Sequence, residues 1–254
     1  MPHINGVVLA GSYNQSGLET VSDEVYEALI PLAGKRLIEY VMQALEDARR
    51  IDERFVVGFP EFEDCLDFSR STLLQAGETF IDSIRAGLEA SSRADYLLFV
   101  TADIPLITGE ILDIFVDCAQ QTKADLCVPV VTKAVSEAKY PQVQRTYARI
   151  GGESLTLGNA FFGTAETIER ILPRLERLYA LRKRIFRLAL TVGPGLLLRL
   201  ITGTATLEQL EKRFEKLIGA RGRALISPYP ELALDIDKPS HLVAVEQLLD
   251  VPDA

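Results

Sequence analysis

Tyr96-Leu97-Leu98-Phe99-Val100-Thr101-Ala102-Asp103-Ile104-Pro105 is the stretch on which the reading of this chain turns. An unbroken apolar and aromatic run gives way to a small pair, one acid and, two residues on, a proline. A short continuous run of this kind fits a strand buried on both faces, as in a parallel sheet. Pro105 has no N–H to give a ladder, so the strand ends before it. That places Asp103 at the carboxyl edge of a central strand, where open α/β sheets hold their ligands.

On the N-terminal side, Gly6-Val7-Val8-Leu9-Ala10 reads as another short buried strand, followed by the polar loop Gly11-Ser12-Tyr13-Asn14-Gln15-Ser16-Gly17. A loop with glycines at both ends can wrap backbone N–H groups around phosphates. It matches neither G-x-G-x-x-G nor the Walker pattern, and the missing glycine spacing disfavours a Rossmann dehydrogenase. Leu37, Ile38, Val41, Met42 and Leu45 follow helical spacing, Arg54-Phe55-Val56-Val57-Gly58 is a strand, and a short acidic helix is expected near Glu61 to Phe68. Phe80, Ile81, Ile84 and Leu88 mark a helix face leading into the Tyr96 strand. This βαβαβ order predicts a parallel sheet with right-handed crossovers.

Beyond Asp103, Ile111, Ile114, Phe115 and Cys118 give a further helix, and Leu126-Cys127-Val128-Pro129-Val130-Val131 a strand in which Pro129 suggests an edge or a bulge. Arg145-Thr146-Tyr147-Ala148-Arg149-Ile150 alternates like a half-exposed strand, and Gly158-Asn159-Ala160-Phe161-Phe162-Gly163 is another. From about 164 to 220 the pattern is helical and more basic, with Arg174, Arg177, Arg182, Lys183, Arg184 and Arg187 among Leu178, Leu181, Ile185 and Leu188. This is either a solvated helix face beside the core or an amphipathic face meeting anionic lipid or a phosphorylated substrate. The chain closes with Leu232-Ala233-Leu234-Asp235-Ile236-Asp237-Lys238-Pro239 and a last helix carrying Leu242, Val245 and Leu248.

The 254 residues carry a formal net charge of -9, which argues against broad nucleic-acid binding, since tracking phosphates needs a basic face. Cys65, Cys118 and Cys127 lack C-x-x-C spacing and read as reduced core thiols of a cytoplasmic protein, rather than a disulfide or zinc framework. No signal peptide is evident, and no apolar stretch reaches the roughly 18 residues a membrane span needs.

Asp103 and Asp237 each read as the end of a strand, and each stands two residues before a proline. Carboxylates at one sheet edge converge although distant in sequence. Two of them together with phosphate oxygens suit Mg²⁺, which prefers hard oxygen ligands and keeps several waters.

The chain resembles the MobA-like nucleotidyltransferases. The resemblance rests on Val7-Val8-Leu9-Ala10-Gly11, Ala28-Leu29-Ile30-Pro31-Leu32-Ala33-Gly34-Lys35 with Leu37-Ile38-Glu39, Asp82-Ser83-Ile84 with Gly87-Leu88, Asp103-Ile104-Pro105, and Asp235-Ile236-Asp237-Lys238-Pro239. It implies one domain over residues 1–254 with a GT-A-type α/β fold, of the nucleotide-diphospho-sugar transferase type. A mostly parallel central sheet is flanked by helices, with a helical insertion at about 164–220. It implies transfer of a nucleoside monophosphate from a nucleoside triphosphate to a phosphorylated small molecule, with pyrophosphate released. By that likeness Asp103 and Asp237 hold Mg²⁺, while Leu9, Ala10, Gly11, Ser12, Gly17, Ser83 and Gly87 bind the nucleotide. Lys139, Arg149, Gly158 and Asn159 face the acceptor. The sequence departs from the family pattern at Ser12, in place of the second glycine of L-A-G-G, and at Glu27, where a lysine normally precedes A-L-I-P-L and neutralises the triphosphate. Lys35 is the nearest lysine to take over that catalytic role, with Arg36 beside it in place of the family's proline. The alternative is a catalytically weakened nucleotide- or sugar-nucleotide-binding regulatory module on the same fold. A GT-A glycosyltransferase is disfavoured because Ala102-Asp103-Ile104-Pro105 is not a D-x-D.

Overall fold

A computed structural model describes residues 2–15, 17–180, 191 and 193–249. Its centre is β6 (Tyr96–Thr101), whose Leu97, Leu98, Phe99 and Val100 are wholly buried. β6 lies between β1 (Ile4–Leu9), parallel to it, and β10 (Ala160–Thr164), antiparallel. Phe99 and Phe161 stand opposite one another in register and stack at 4.6 Å. β4 (Arg54–Gly58) and β5 (Thr72–Gln75) extend the parallel half beyond β1. On the other side follow β7 (Leu126–Thr132), β9 (Glu153–Leu157) and β8 (Ala148–Ile150), all antiparallel neighbours, while β11 (Gly222–Ile226) pairs parallel with β7. The sheet is therefore mixed, parallel on the side of the first crossovers as the βαβαβ order requires.

Pro129 marks neither an edge nor the end of β7. It falls between the residues paired with β10 and those paired with β9, so its missing N–H sits where one neighbour gives way to the next. Gly158 donates to the Pro129 carbonyl there at 2.8 Å, and a Cβ on Gly158 would lie 2.7 Å from both Pro129 Cγ and the Leu232 carbonyl oxygen. Glycine is required by that approach.

Helices α1 (Leu37–Asp47) and α3 (Gly109–Gln121) cover one face through Val41, Leu45, Leu112 and Val116. The other face is covered by α2 (Phe80–Ala90), α5 (Ala165–Ala180) and α7 (Leu207–Ile218). Ile84, Ile168, Ile171 and Ile218 are buried there with Val7, Leu97 and Phe99. Two helices after residue 164, α5 and α7, thus join α2 in one layer of the core. Arg170 and Arg174 of α5 donate to the carbonyls of Gly219 and Ile218, satisfying the exposed C-terminus of α7. Leu181, Arg182, Lys183, Arg184, Ile185, Arg187 and Leu188 lie outside the described residues. The short α4 (Lys133–Lys139), α6 (Pro194–Ile201) and α8 (Pro239–Leu249) complete the helices described, and a two-residue ribbon pairs β2 (Pro31–Leu32) with β3 (Lys35–Arg36). The expected acidic helix near Glu61 is a 3₁₀ turn at Pro60–Asp64. Among the described residues no helix is long and apolar enough to cross a membrane.

Candidate active site

Asp103 stands two residues beyond the end of β6, and its position there is held by Thr101, whose hydroxyl donates to Asp103 Oδ1 at 2.5 Å. Across the gap runs the segment after the 3₁₀ turn Pro230–Ala233, which docks through Ile236 N on the Asp103 carbonyl at 2.9 Å. Residues 234–237 are not a ladder strand, and that one bond sets their register against Asp103. Successive side chains of an extended segment alternate in direction, so Asp235 and Asp237 emerge on the same side. Asp103, Asp235 and Asp237 each offer an oxygen, and the three oxygens lie within 4.8 Å of one another.

Asp235 is the buried member. Its Oδ1 accepts from Asn159 Nδ2 at 2.6 Å and from the Arg145 guanidinium, which also donates to the Asp235 carbonyl at 3.0 Å and lies 3.5 Å from Asp237 Oδ2. Arg145 and Asp235 are nearly as buried as each other, at 11% and 12% side-chain exposure, whereas Asp237 is 51% exposed. The buried imidazole of His241 links the two segments. With Nε2 protonated it donates to the Gln144 carbonyl (3.0 Å) and accepts from Asp237 N–H at Nδ1 (3.4 Å). Withdrawal from water pushes that histidine down, so it stays neutral.

The three acids differ in charge preference. Burial raises Asp103, and the nearby charges of Asp235 and Asp237 raise it further. Burial also raises Asp237, reinforced by its hydrogen bond to Asp235 and by that carboxylate's charge. Burial pushes Asp235 up too, but the hydrogen bonds from Asp237 and Arg145 outweigh it and hold Asp235 low. An electrostatically strained set of hard oxygens is the donor chemistry that a small divalent cation relieves, so these residues fit Mg²⁺.

A cavity of about 270 Å³ opens beside Asp103, lined by Leu9, Ala10, Gly11 and Ser12 from β1 and its loop, Thr101 at the end of β6 and Ala102 after it, and Thr79 and Ser83 from the start of α2. Thr79 caps α2, accepting from Asp82 N at 3.2 Å while Asp82 bonds back to Thr79 N. A Cβ on Gly11 would lie 3.0 Å from Ala76 Cβ and 3.3 Å from Ser83 Oγ, so the loop runs close against Ala76 and α2, and a larger residue would have to push those neighbours back by a few tenths of an ångström. Glu27 N–H donates to the Ser12 carbonyl at 3.2 Å, which draws Glu27 into the same wall.

Of the other residues singled out from the sequence, Gly17 starts a 3₁₀ turn at φ 108°, and Gly87 packs α2 on the sheet, where a Cβ would meet Val7 Cγ1 at 2.7 Å. Neither lines the cavity. Lys35 holds its ammonium 5.4 Å from the Tyr40 ring centroid, and Arg36 donates to the Cys65 carbonyl at 2.7 Å; both also stand outside the cavity wall. Lys139 meets the buried carboxylate of Glu231, which also accepts from Tyr140 OH at 2.6 Å. Asn159 touches Asp235 directly, while Gly158 serves the close approach described above. Arg149 lies on β8 against Gly203, and it is Arg145 that reaches the acids. Arg145, Asp235, Asn159 and Glu27 are thus the polar groups packed around or facing the Asp103–Asp237 pair.

A family model described as the MobA-like NTP transferase domain matches residues 6–185. The chain belongs to that family. A probable molybdenum cofactor guanylyltransferase from Thermococcus kodakarensis is 31% identical over 125 residues, which is 49% of this chain and 58% of that protein. The match therefore spans little more than half of that relative's length. A solved structure titled as a hypothetical transferase from Thermus thermophilus superposes with a TM-score of 0.85 at 31% identity, covering 95% of this chain and all of the other. A CMP:2-keto-3-deoxy-manno-octonic acid synthetase solved with CTP superposes at 0.61 with 16% identity over 97% of this chain and 98% of its own, a likeness of fold.

In this MobA-like chain the charge conflict has a measurable consequence. Asp103 and Asp237, raised to about 7 by burial and by Asp235, bind protons more tightly folded than unfolded. Their protonated forms therefore stabilise the fold most at acid pH, and that contribution is lost as pH rises from about 4, the ordinary carboxylate value, through about 7. Asp235 acts in the opposite sense only below that range, because its pKa is lowered. Metal-free protein is expected to melt progressively lower as pH rises across this window, and Mg²⁺ is expected to recover the loss at pH 8. Calorimetry in EDTA and in Mg²⁺ checks both; an unchanged difference between pH 5 and pH 8 on adding Mg²⁺ would show that these acids do not hold it.

Proposed function

We propose that the chain is a Mg²⁺-dependent nucleotidyltransferase that moves a nucleoside monophosphate from a nucleoside triphosphate onto a phosphorylated small molecule, releasing pyrophosphate. The observation that carries this reading is the convergence of Asp103, Asp235 and Asp237 beside the cavity formed by the Leu9–Ser12 loop. Asp103 and Asp237, with Asp235 behind them, would hold the cation, which when bound neutralises phosphate charge and favours departure of pyrophosphate.

The chain's own residues do the rest by positioning. Leu9, Ala10, Gly11 and Ser12 bring backbone against the nucleotide, and Thr79 and Ser83 offer hydroxyls from the opposite wall. Arg145 keeps Asp235 ionised and fixed; Asn159 holds the same oxygen from the other side. Lys139 would meet the acceptor's phosphate by exchanging its contact with Glu231 for it. Support for a nucleoside triphosphate comes from the family membership and from the related fold solved with CTP.

One observation favours the regulatory-module reading. The cavity wall carries Glu27, Glu78 and Asp103 and no lysine or arginine among the described residues. The two readings separate by pyrophosphate release, with each of the four nucleoside triphosphates offered against a panel of sugar phosphates and alcohol phosphates. Turnover that depends on Mg²⁺ and disappears in both Asp103→Ala and Asp237→Ala supports the enzyme. Nucleotide binding without turnover, indifferent to Asp103→Ala, overturns it in favour of the module.

A further inference from the structure

Phe80 opens helix α2 at a position the core does not use. Thr79 and Asp82 cap the helix start between them, and the side chains that α2 buries are Ile81, Ser83 and Ile84. Phe80 is left 40% exposed. An aromatic ring that water still reaches has kept much of its apolar area unburied, so its place there is not explained by folding. Its ring partner is Tyr179, near the end of α5, with centroids 6.1 Å apart and planes 24° from parallel.

Both rings line the cavity beside Asp103. They come from the layer of helices, whereas Asp103 comes from the sheet edge, so one enclosure has an aromatic wall and an acidic one. The faces of aromatic rings carry the negative side of a quadrupole. A phosphate chain therefore gains nothing from this wall, while a flat π-system can stack on it.

We propose that Phe80 and Tyr179 form the platform on which the base of the bound nucleotide stacks, an inference that rests on the nucleotide-binding reading above. The phosphates then run from this wall toward Asp103, and Thr79 and Ser83 stand beside the base. Every base has a π-face, so the platform supplies affinity without choosing among bases. A stack present equally in substrate and transition state acts on KM and leaves kcat alone.

The test compares calorimetric titrations of ATP, GTP, CTP, UTP and inorganic tripolyphosphate into the full chain, in Mg²⁺ and without acceptor. Phe80→Ala and Tyr179→Ala are each expected to weaken all the nucleotides by about tenfold and tripolyphosphate not at all, with unchanged circular dichroism. The chain has no tryptophan, so Phe80→Trp introduces a single indole. That variant should keep nucleotide affinity, and its fluorescence should be quenched by nucleotides and not by tripolyphosphate. Nucleotide affinity unchanged in both alanine variants overturns the platform, as does equal weakening of nucleotides and tripolyphosphate, which would mean that the rings only shape the cavity. Tetramethylammonium binding that Phe80→Ala abolishes while nucleotide affinity holds would make the pair a cation site instead. Stacking without pyrophosphate release from any acceptor would keep the platform and sink the enzyme, and release with no loss in Phe80→Ala would do the reverse. If no triphosphate binds the wild type, both readings fall.

Discussion

Asp103→Asn is expected to abolish turnover and, in the absence of metal, to make the protein more stable. The two effects share one cause. Asp103 is forced toward the charges of Asp235 and Asp237 in a site withdrawn from water, which raises its pKa. An amide has the same shape, and its oxygen can still accept from the Thr101 hydroxyl, so the fold keeps its contact and loses the repulsion. At pH 8 in EDTA the variant should therefore gain ~1 kcal/mol or more, or about 2–4 °C in melting temperature for a chain of this size. The gain should shrink toward pH 5, where the wild-type acid is protonated. Mg²⁺ should reverse the order by stabilising the wild type alone. Loss of a cation ligand removes several kcal/mol of charge stabilisation from the transferring phosphoryl group, so turnover should fall by about 10³-fold. Calorimetry and pyrophosphate release measure the two sides. A variant less stable than wild type at pH 8 without metal would show that the three acids are not in electrostatic conflict.

That conflict was half visible in the sequence. The apolar run before Asp103 and the proline after it suffice to place one acid at a sheet edge, and the structure has β6 ending at Thr101, two residues short of Asp103. Asp237 was legible by its similar distance from a proline, although its backbone is a docked extended segment and not a strand end. Asp235 carries the same information in its spacing, since acids two apart in extended chain face one way. That signal becomes readable only once residues 234–237 are known to run extended, and a 3₁₀ turn precedes them. Arg145 had no local signal at all. It lies 90 residues from Asp235, in a stretch whose alternation suggested a strand from Arg145 onward, but β8 begins only at Ala148 and leaves Arg145 free to turn toward the acids. The fold was more legible than the site because buried strands announce themselves within a few residues, whereas ion pairs across the sheet edge depend on topology.

The helices beyond residue 164 teach a related lesson. Their basic composition drew attention to charge, yet Ile168, Ile171 and Ile218 are core side chains, and Arg170 and Arg174 are spent on the carbonyl end of α7. Composition alone does not distinguish arginines that cap a helix from those that face outward. The periodicity along α7 does, because it places Lys212, Arg213 and Lys216 together and the glutamates elsewhere.

Glu27→Lys is expected to tighten metal-free triphosphate binding and to weaken Mg²⁺ binding, both by tenfold or more. Glu27 stands in the cavity wall, tied through its backbone to Ser12. After burial and Asp235, its charge is among the causes that push Asp237 up. Two unit charges 4 Å apart interact by about 4 kcal/mol at an effective dielectric near 20, so even a partly screened reversal across a few more ångströms exceeds the 1.4 kcal/mol that makes a factor of ten. Opposite shifts for an anion and a cation are a signature that loss of packing does not produce. Glu27→Gln should fall between the two in both titrations, because the effect follows charge. A nucleoside without phosphates should bind all three proteins alike, and added salt should compress the differences. Calorimetric titration of inorganic tripolyphosphate and of Mg²⁺ into the three proteins provides the series. If both ligands weaken together in Glu27→Lys, Glu27 acts by shaping the Ser12 loop, and the lack of lysine and arginine among the described residues of the cavity wall is compensated by something other than charge at this position.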